Sequence, residues 1–222
     1  SNGSGSSDAW TIHLWFKPSS ANQGQVIFYF GDQDTANGGY IQVMQITDTG
    51  NKILRLRYGS NSNNLRMQTS SGSLTPGQWH HIMICYDGGT TGSSQADLSD
   101  YYNRFNIFID GSLQSTNNSH SNYGWTGGVD ADNLRVGRQS GNYMRDNARV
   151  DELAIWGSDQ STNIAAIYNS GTPHDLDLLA SSPDHWWRMG DGDTYPTITD
   201  NVGTAHFVMY NMTVADIVND TP

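Results

Sequence analysis

The chain has 222 residues, enough for one large β-domain with a sizeable core, and it is rich in turn formers, with 24 glycines. Its net charge of -11 excludes nucleic-acid binding driven by counterion release and argues against attraction to an anionic membrane surface. The single cysteine, Cys85, excludes an intramolecular disulfide, and no apolar run reaches the roughly 20 residues of a membrane-spanning helix.

Short segments that alternate or are continuously apolar predict β-strands along the first half of the chain. The first of them, residues 10–17, ends at Pro18, which cannot continue a central strand. Further strands are predicted over 25–30, 39–46, 52–58, 64–68 and 79–87. Alternation within 52–58 puts Arg55 and Arg57 on one face of that strand. A polar loop over 88–100 precedes a strand over 104–110, which turns at Asp110-Gly111.

The second half of the chain contains another long polar loop and the one predicted helix. Its elements are a loop over 117–128, strands over 133–138 and 148–156, a helix over 161–169 and a returning strand over 185–189. Gly171 and Pro173 end the helix. We therefore predict a linker over 1–8, one β-domain over 9–190, and a C-terminal extension over 191–222 that packs on or follows this domain.

Four strand phrases carry a family resemblance. They are Thr75-Pro-Gly-Gln-Trp-His-His-Ile-Met-Ile-Cys-Tyr-Asp87, Phe105-Asn-Ile-Phe-Ile-Asp-Gly111, Asn133-Leu-Arg-Val-Gly-Arg138 and Ala148-Arg-Val-Asp-Glu-Leu-Ala-Ile-Trp156. In this order they resemble the laminin G-like and pentraxin-like branch of the concanavalin A-like lectin/glucanase superfamily. The resemblance covers residues 9–190 and implies an all-β fold, a two-sheet antiparallel jelly-roll sandwich with one short helix. That fold mostly binds ligands and less often cleaves them.

The C-terminal segment carries a second, narrower resemblance. From His185-Trp-Trp-Arg-Met189 to Asp220-Thr-Pro222 it resembles the ends of lectin-like virion proteins of marine bacteriophages. This resemblance implies a capsid, decoration or tail-fibre protein at a virion or other extracellular surface. Other virion subunits, including further copies of this chain in a homo-oligomer, are then candidate partners.

The inventory of carboxylates argues against the catalytic use of this fold. The superfamily's hydrolases carry Glu-x-Asp-x-x-Glu on a strand, with one carboxylate as nucleophile and another as acid/base, whereas Glu152 is the only glutamate here. Alternation within the strand over 148–156 sends Asp151 and Glu152 to opposite faces. A pair of aspartates from loops and a Ser/His/Asp triad stay open as alternatives. We predict no enzyme and no catalytic residues.

Calcium is the one cofactor that the sequence supports, since many relatives hold an ion at the rim of the sandwich. Calcium takes six to eight oxygen ligands, and the candidates are Asp34, Asp151, Asp191 and Asp193. The alternative is that these aspartates cap turns. Pentraxin-like chains place an acidic cluster where this chain has Arg138 and Gln139, so their calcium-bridged ligand site is not expected here.

Aromatic and planar polar residues in the loops predict a glycan-binding site, because loops on a rigid scaffold carry binding. The candidates lie around 120–126 and 140–147 and are Tyr123, Trp125, Asn142, Tyr143 and Arg145. Trp125 has the alternative role of a lid over the edge of the core. The strand tryptophans Trp15, Trp79 and Trp156 are predicted to be core residues.

Together these features predict a non-catalytic lectin-like binding module that recognises a surface glycan. The alternative is a structural capsid-decoration or fibre protein that binds no sugar, and a glycoside hydrolase or lyase is a weaker one. Nucleic acid is not an expected partner, and membrane insertion is not expected.

Overall fold

The computed structural model describes residues 8–21, 23–31, 39–48, 51–60, 64–89, 98–121, 133–139, 141–144 and 147–222. Its strands are β1 (Trp10–Lys17), β2 (Gln25–Gly31), β3 (Tyr40–Asp48), β4 (Asn51–Gly59), β5 (Asn64–Thr69), β6 (His80–Tyr86), β7 (Phe105–Ile109), β8 (Ser112–Leu113), β9 (Thr116–Ser121), β10 (Arg135–Val136), β11 (Arg138–Gln139), β12 (Asn142–Tyr143), β13 (Arg149–Trp156), β14 (His185–Trp187), β15 (Thr197–Ile198) and β16 (Phe207–Val208). Its α-helices are α1 (Leu98–Asn103) and α2 (Ile164–Tyr168). Within the described ranges, the helices are too short or too polar to cross a membrane.

The strands build two antiparallel six-stranded sheets. The first sheet has the order β14-β13-β1-β6-β7-β8, and the second sheet has the order β10-β2-β3-β4-β5-β9. The main core lies between them and takes apolar side chains from both, such as Leu14 and Ile84 from the first sheet and Leu54 and Leu56 from the second. This arrangement confirms the predicted two-sheet sandwich.

Each sheet also has an outer face with buried residues of its own. On the first sheet, α2 contributes Ile167 to an apolar cluster that includes Trp156. On the second sheet, Tyr29, Tyr40 and Met44 form a separate cluster. Because side chains alternate along a strand, residues next to core positions are the ones that build these outer faces.

Most predicted strands lie within one or two residues of the observed ones, but two polar loops were predicted wrongly in part. The first residues of the predicted loop over 117–128 belong to a strand. Thr116–Ser121 form β9 at the edge of the second sheet, where they pair with β5. The predicted loop over 88–100 ends in α1. The predicted strand over 133–138 is split into β10 and β11, since Gly137 between them takes a φ of 75°.

The predicted helix and hairpin are confirmed, and they contact one another. Asp110 and Gly111 have φ values of 50° and 74°, as a tight hairpin turn between β7 and β8 requires. A Cβ atom at Gly111 would lie 2.5 Å from Cδ1 of Tyr168 at the end of α2. Only glycine therefore lets α2 pack this closely on the turn.

Two of the three strand tryptophans are buried as predicted, and the third is not. Trp15 is 4% exposed and Trp156 is 1% exposed, both on the outer face of the first sheet. Trp79 is only half-buried, and the Lys17 ammonium lies 5.9 Å from the centre of its ring. The core prediction for Trp79 is therefore wrong, because this residue precedes β6 instead of lying within it.

The C-terminal extension is tied to the first sheet by two aspartates. Asp200 forms a 2.6 Å hydrogen bond with Nδ1 of His185 in β14 and also accepts backbone N–H groups. Asp220 accepts from Nζ of Lys17 at 2.9 Å and from Nε of Arg149 at 2.7 Å. The extension thus packs against the sandwich at both points.

Candidate functional site

Much of the predicted glycan site lies outside the described residues. This applies to Tyr123, Trp125 and Arg145, and to the side chain of Asn142. The backbone of Asn142 pairs with Gln139 in the β11–β12 hairpin. Tyr143, the next residue, is described and is 42% exposed. Tyr143 is therefore the one predicted glycan-binding side chain whose surroundings the structure describes.

Tyr143 forms a stack with Arg138 and Tyr210. Arg138 is the register partner of Tyr143, so their side chains share one face of the hairpin. The Arg138 guanidinium lies 5.6 Å from the centre of the Tyr143 ring and 5.4 Å from that of Tyr210. Tyr210 is 70% exposed and comes from the C-terminal extension. The sequence did not reveal this residue, because it lies 67 positions from its partner Tyr143 and in no regular element.

The opposite face of the hairpin connects to the second sheet through a pair of amides. Oε1 of Gln139 accepts a hydrogen bond from Nε2 of Gln42 at 2.8 Å. Gln42 lies on β3 directly opposite Arg57 on β4, and its own Oε1 accepts from Nη1 of Arg57 at 3.4 Å. This buried amide pair therefore ties the hairpin to the outer face of the second sheet.

Three arginines on this outer face, Arg55, Arg57 and Arg66, form what we call the arginine face. Arg55 and Arg57 alternate on β4, and Arg57 lies directly opposite Arg66 on β5. Nε of Arg55 donates to Oε1 of Gln68 at 2.8 Å, and Nε of Arg66 donates to Oδ1 of Asn64 at 3.0 Å. Burial, followed by the charges of its two neighbours, lowers the pKa of Arg55. Burial is also the main cause that lowers the pKa of Arg57.

Two buried tyrosines form a rigid floor beside the arginine face. The rings of Tyr29 and Tyr40 stack with their centres 5.8 Å apart. The Arg57 guanidinium lies 5.5 Å from the centre of the Tyr40 ring, and Arg135 lies 5.9 Å from that of Tyr29. The Tyr40 hydroxyl is buried without a hydrogen-bond partner among the described residues, and burial raises its pKa. The cations of this face are thus held in place by aromatic rings and amides.

The three predicted calcium ligands that the structure describes do not form a group able to hold a metal ion. Asp34 lies outside the described residues. The two oxygens of Asp193 accept backbone N–H groups at 3.0 and 2.8 Å, which is a turn-capping role. Asp191 pairs with Nη2 of Arg188 at 2.7 Å. In the described part of the chain, no three His, Cys, Asp or Glu side chains are arranged to hold a metal ion. Calcium binding by these aspartates stays a prediction.

The fourth candidate, Asp151, lies on the same face of the first sheet as Glu152, so the prediction that they face opposite ways is wrong. The pairing of β13 with β1 shifts between His13 and Trp15, and Glu152 takes a φ of 51°. This β-bulge turns Glu152 to the outer face, where its Oε2 accepts from Nε1 of Trp186 at 2.7 Å. Burial, and then the charge of Glu152, raises the pKa of Asp151 to about 7.

Glu152 is held in this position by surrounding groups. It is 5% exposed, and Nε of Arg188 lies 3.4 Å from its Oε1. The Arg188 guanidinium also lies 5.3 Å from the centre of the Trp186 ring. Burial raises the pKa of Glu152, while the hydrogen bond from Trp186 and the charge of Arg188 act to lower it. Within the carboxyl pair on β13, Glu152 is therefore fixed by packing and hydrogen bonds, and Asp151 is half-buried.

The adjacent histidines of β6 have separate structural roles. Nε2 of His80 accepts the Thr75 N–H at 2.9 Å, so its Nδ1 donates to Oδ2 of Asp110 at 2.7 Å. His80 therefore has a structural role at the turn between β7 and β8. His81 is fully buried with its ring centre 4.8 Å from that of His13, and burial lowers its pKa well below the usual range.

Comparisons with solved structures find matches at low sequence identity. Domains LG4-5 of the mouse laminin α1 chain align over 68% of this chain and 36% of their own, with 14% identity and a TM-score of 0.45. A leech intramolecular trans-sialidase aligns over 79% and 25%, with 13% identity and a TM-score of 0.49. Tailspike protein 2 of Escherichia coli O157:H7 bacteriophage CAB120 aligns over 77% and 22%, with 13% identity and a TM-score of 0.45. This chain thus spans about a third or less of these proteins.

Sequence comparison places the chain in a family. No curated protein sequence matches it. The laminin G family model, described as the concanavalin A-like lectin/glucanases superfamily, matches residues 1–165. That match includes β1 to β13 and therefore most of both sheets. The chain belongs to the concanavalin A-like lectin/glucanases superfamily.

Proposed function

We propose that the protein is a non-catalytic, lectin-like module that recognises a surface glycan, at a virion or other extracellular surface. The observation that carries this proposal is the arginine face on the second sheet, to which the β11–β12 hairpin is tied. The fixed guanidinium groups and the Gln68 amide of that face can bond sugar hydroxyls, and the exposed rings of Tyr143 and Tyr210 in the Arg138 stack offer flat apolar surfaces.

The absence of catalysis is part of this proposal. Of the described acidic pair, Glu152 is held by hydrogen bonds from Trp186 and Arg188, which supports a structural role for it. A glycosidase needs its two carboxyl groups on either side of a scissile bond, within reach of substrate. Glu152 is too buried for that, at 5% exposure.

A glycan array, probed with and without calcium, tests the proposal. We expect binding to a restricted set of glycans, and loss of at least about fivefold in affinity for Tyr143→Ala, because stacking on one aromatic ring contributes on the order of 1 kcal/mol. Tyr195→Ala is the matched control, since Tyr195 is equally exposed at 42% but does not belong to the Arg138 stack. Absence of binding to any glycan on a broad array would overturn the proposal. Loss of binding on chelation would support the predicted calcium site.

A structural role in a particle is the second candidate, and one observation favours it. The C-terminal extension exposes apolar side chains, with Val208 at 73% and Val214 at 68%. Exposed apolar groups in one segment are typical of a surface that packs against another subunit. A defined oligomer by light scattering, together with no glycan binding, would favour this candidate over the first.

A further inference from the structure

The three cations of the arginine face are closer together than stability alone would favour. Arg57 and Arg66 occupy directly opposed positions on β4 and β5, and Arg55 lies on the same face two residues from Arg57. Like charges at opposed positions of an antiparallel pair destabilise the pair. The chain has only 11 basic residues against 22 acidic ones, so their clustering on one sheet face calls for an explanation.

The partners of these arginines do not neutralise them. Among the residues that the structure describes, the hydrogen-bond acceptors of Arg55, Arg57 and Arg66 are amide oxygens of glutamine and asparagine. Other arginines of the chain pair with carboxylates, as Arg104 does with Asp87 at 3.2 Å. An amide fixes the direction of a guanidinium but leaves its charge in place.

The same face still has hydrogen-bonding capacity to offer. The side chains of Arg55, Arg57 and Arg66 are half-buried, so water only partly screens their charges. Nε of Arg57 is buried without a hydrogen-bond partner among the described residues. Exposed Asn117 on β9 lies opposite Gln68 of β5, so it extends the face with a neutral polar group. In the described part of the chain, the face therefore combines positive charge that no carboxylate pairs with and donors suited to hydroxyl groups.

We propose that the arginine face binds the anionic group of an acidic saccharide. The oxyanion, a carboxylate or a sulfate, accepts hydrogen bonds from the forked guanidinium groups of Arg57 and Arg66. Gln68 and Asn117 bond the neighbouring sugar hydroxyls. The proposal rests on the proposed function and specifies its ligand class and its location on the second sheet. A short acidic glycan fits better than a long polyanion, because a long chain would also run close to the rest of a surface whose net charge is -11 and be repelled there.

Binding of defined oligosaccharides to single variants tests this site. The probes are an oligogalacturonate, a sulfated dextran oligomer and neutral maltohexaose, with dissociation constants measured by calorimetry at low and high salt. We expect Arg57→Gln and Arg66→Gln each to weaken binding of the acidic probes by about tenfold to a hundredfold, the loss of one charge-assisted hydrogen bond or two. Arg104→Gln removes the same charge away from this face and is expected to change affinity by less than about threefold. The carboxylated and sulfated arms show which oxyanion is preferred.

A stability measurement separates binding from a merely structural role. Because Arg57 and Arg66 repel one another, Arg66→Gln is expected to leave the melting temperature of the free protein unchanged or raise it. A ligand stabilises the folded state in proportion to its affinity, so oligogalacturonate should raise the melting temperature of the wild type more than that of Arg66→Gln.

The results of these experiments separate the acidic-saccharide site from the more general proposal that the protein binds glycans. Full affinity of both arginine variants for the acidic probes would overturn the acidic-saccharide site, even while glycan binding on the array stands. Tighter, arginine-dependent binding of a single-stranded oligonucleotide than of any saccharide would overturn it as well. If no glycan binds, whether acidic or neutral, the proposed function itself is refuted.

Discussion

Replacement of Asp151 by asparagine tests the buried carboxyl pair through the pH dependence of stability. The pKa of Asp151 rises from 3.8 to about 7 in the folded protein, first through burial and then through the charge of Glu152. Asp191 adds to the rise and Arg188 opposes it. Between these two values the folded protein holds a proton that the unfolded chain has released. The free energy of unfolding therefore falls as pH rises from about 4 to about 7. Above about pH 7 the destabilisation caused by the ionised Asp151 is complete.

The size of this effect follows from the pKa change. Roughly three pKa units at about 1.4 kcal/mol each give an upper limit of about 4 kcal/mol. Since Asp151 is only half-buried, solvent screening reduces this to about 1–2 kcal/mol. Asp151→Asn removes the ionisable group but keeps its shape. We expect the variant to be more stable than the wild type at pH 8 by about 1–2 kcal/mol, and to match it near pH 4.

Urea denaturation at a series of pH values from 4 to 8.5 measures this difference. Asp177→Asn is the control, because Asp177 is exposed and its change should leave the pH profile as in the wild type. A variant that is less stable than the wild type at pH 8 would refute the reasoning, since Asp151 would then be ionised in a favourable contact. Calcium gives a second check: an ion held by Asp151 would stabilise the wild type and leave Asp151→Asn unaffected.

Two further changes address the packing of the fold. Although burial acts to raise it, hydrogen bonds from His185 and from backbone N–H groups lower the pKa of Asp200 to about 2. Asp200→Asn should therefore cost about 2–3 kcal/mol at pH 7, a loss that shrinks as pH falls from 4 towards 2, and an unchanged urea midpoint would contradict this. Gly111→Ala should destabilise by more than Gly72→Ala in thermal unfolding, because both have positive φ but only Gly111 faces Tyr168 within 4 Å. Equal melting temperatures for the two variants would show that Tyr168 moves aside without cost.

The fold was predictable where side-chain pattern and core burial coincide. Residues 10–17 alternate and end at Pro18, and β1 occupies the same range. The strand β9 could not be predicted, because its sequence Thr-Asn-Asn-Ser-His-Ser has no apolar side chain and forms only by pairing with β5. The bulge at Glu152 was hidden for a different reason. The positive φ of Glu152 accompanies a shift in the pairing of β13 with β1, and the local sequence around Glu152 does not indicate it.

The candidate site was predictable only in part for a similar reason. Alternation placed Arg55 and Arg57 on one face of β4, but a single strand does not show which residues lie beside it. The register of β4 with β5 brings Arg66 opposite Arg57, and the register of β3 brings Gln42 to its other side. Sequence distance also hid Tyr210, which meets Arg138 across the C-terminal extension. Binding surfaces built from several strands require the register before their residues can be recognised as one group.

The net charge and the arginine face act on different parts of the protein surface, and this resolves their apparent conflict. A charge of -11 governs the approach of large charged partners, and it disfavours extended polyanions. At physiological salt, screening limits such effects to about 8 Å from the surface. Within that distance, the field at β4 and β5 is set by Arg55, Arg57 and Arg66, whose described acceptors are neutral. An acidic protein can therefore hold a selective site for a small anionic group, and its overall charge then serves to exclude longer competitors.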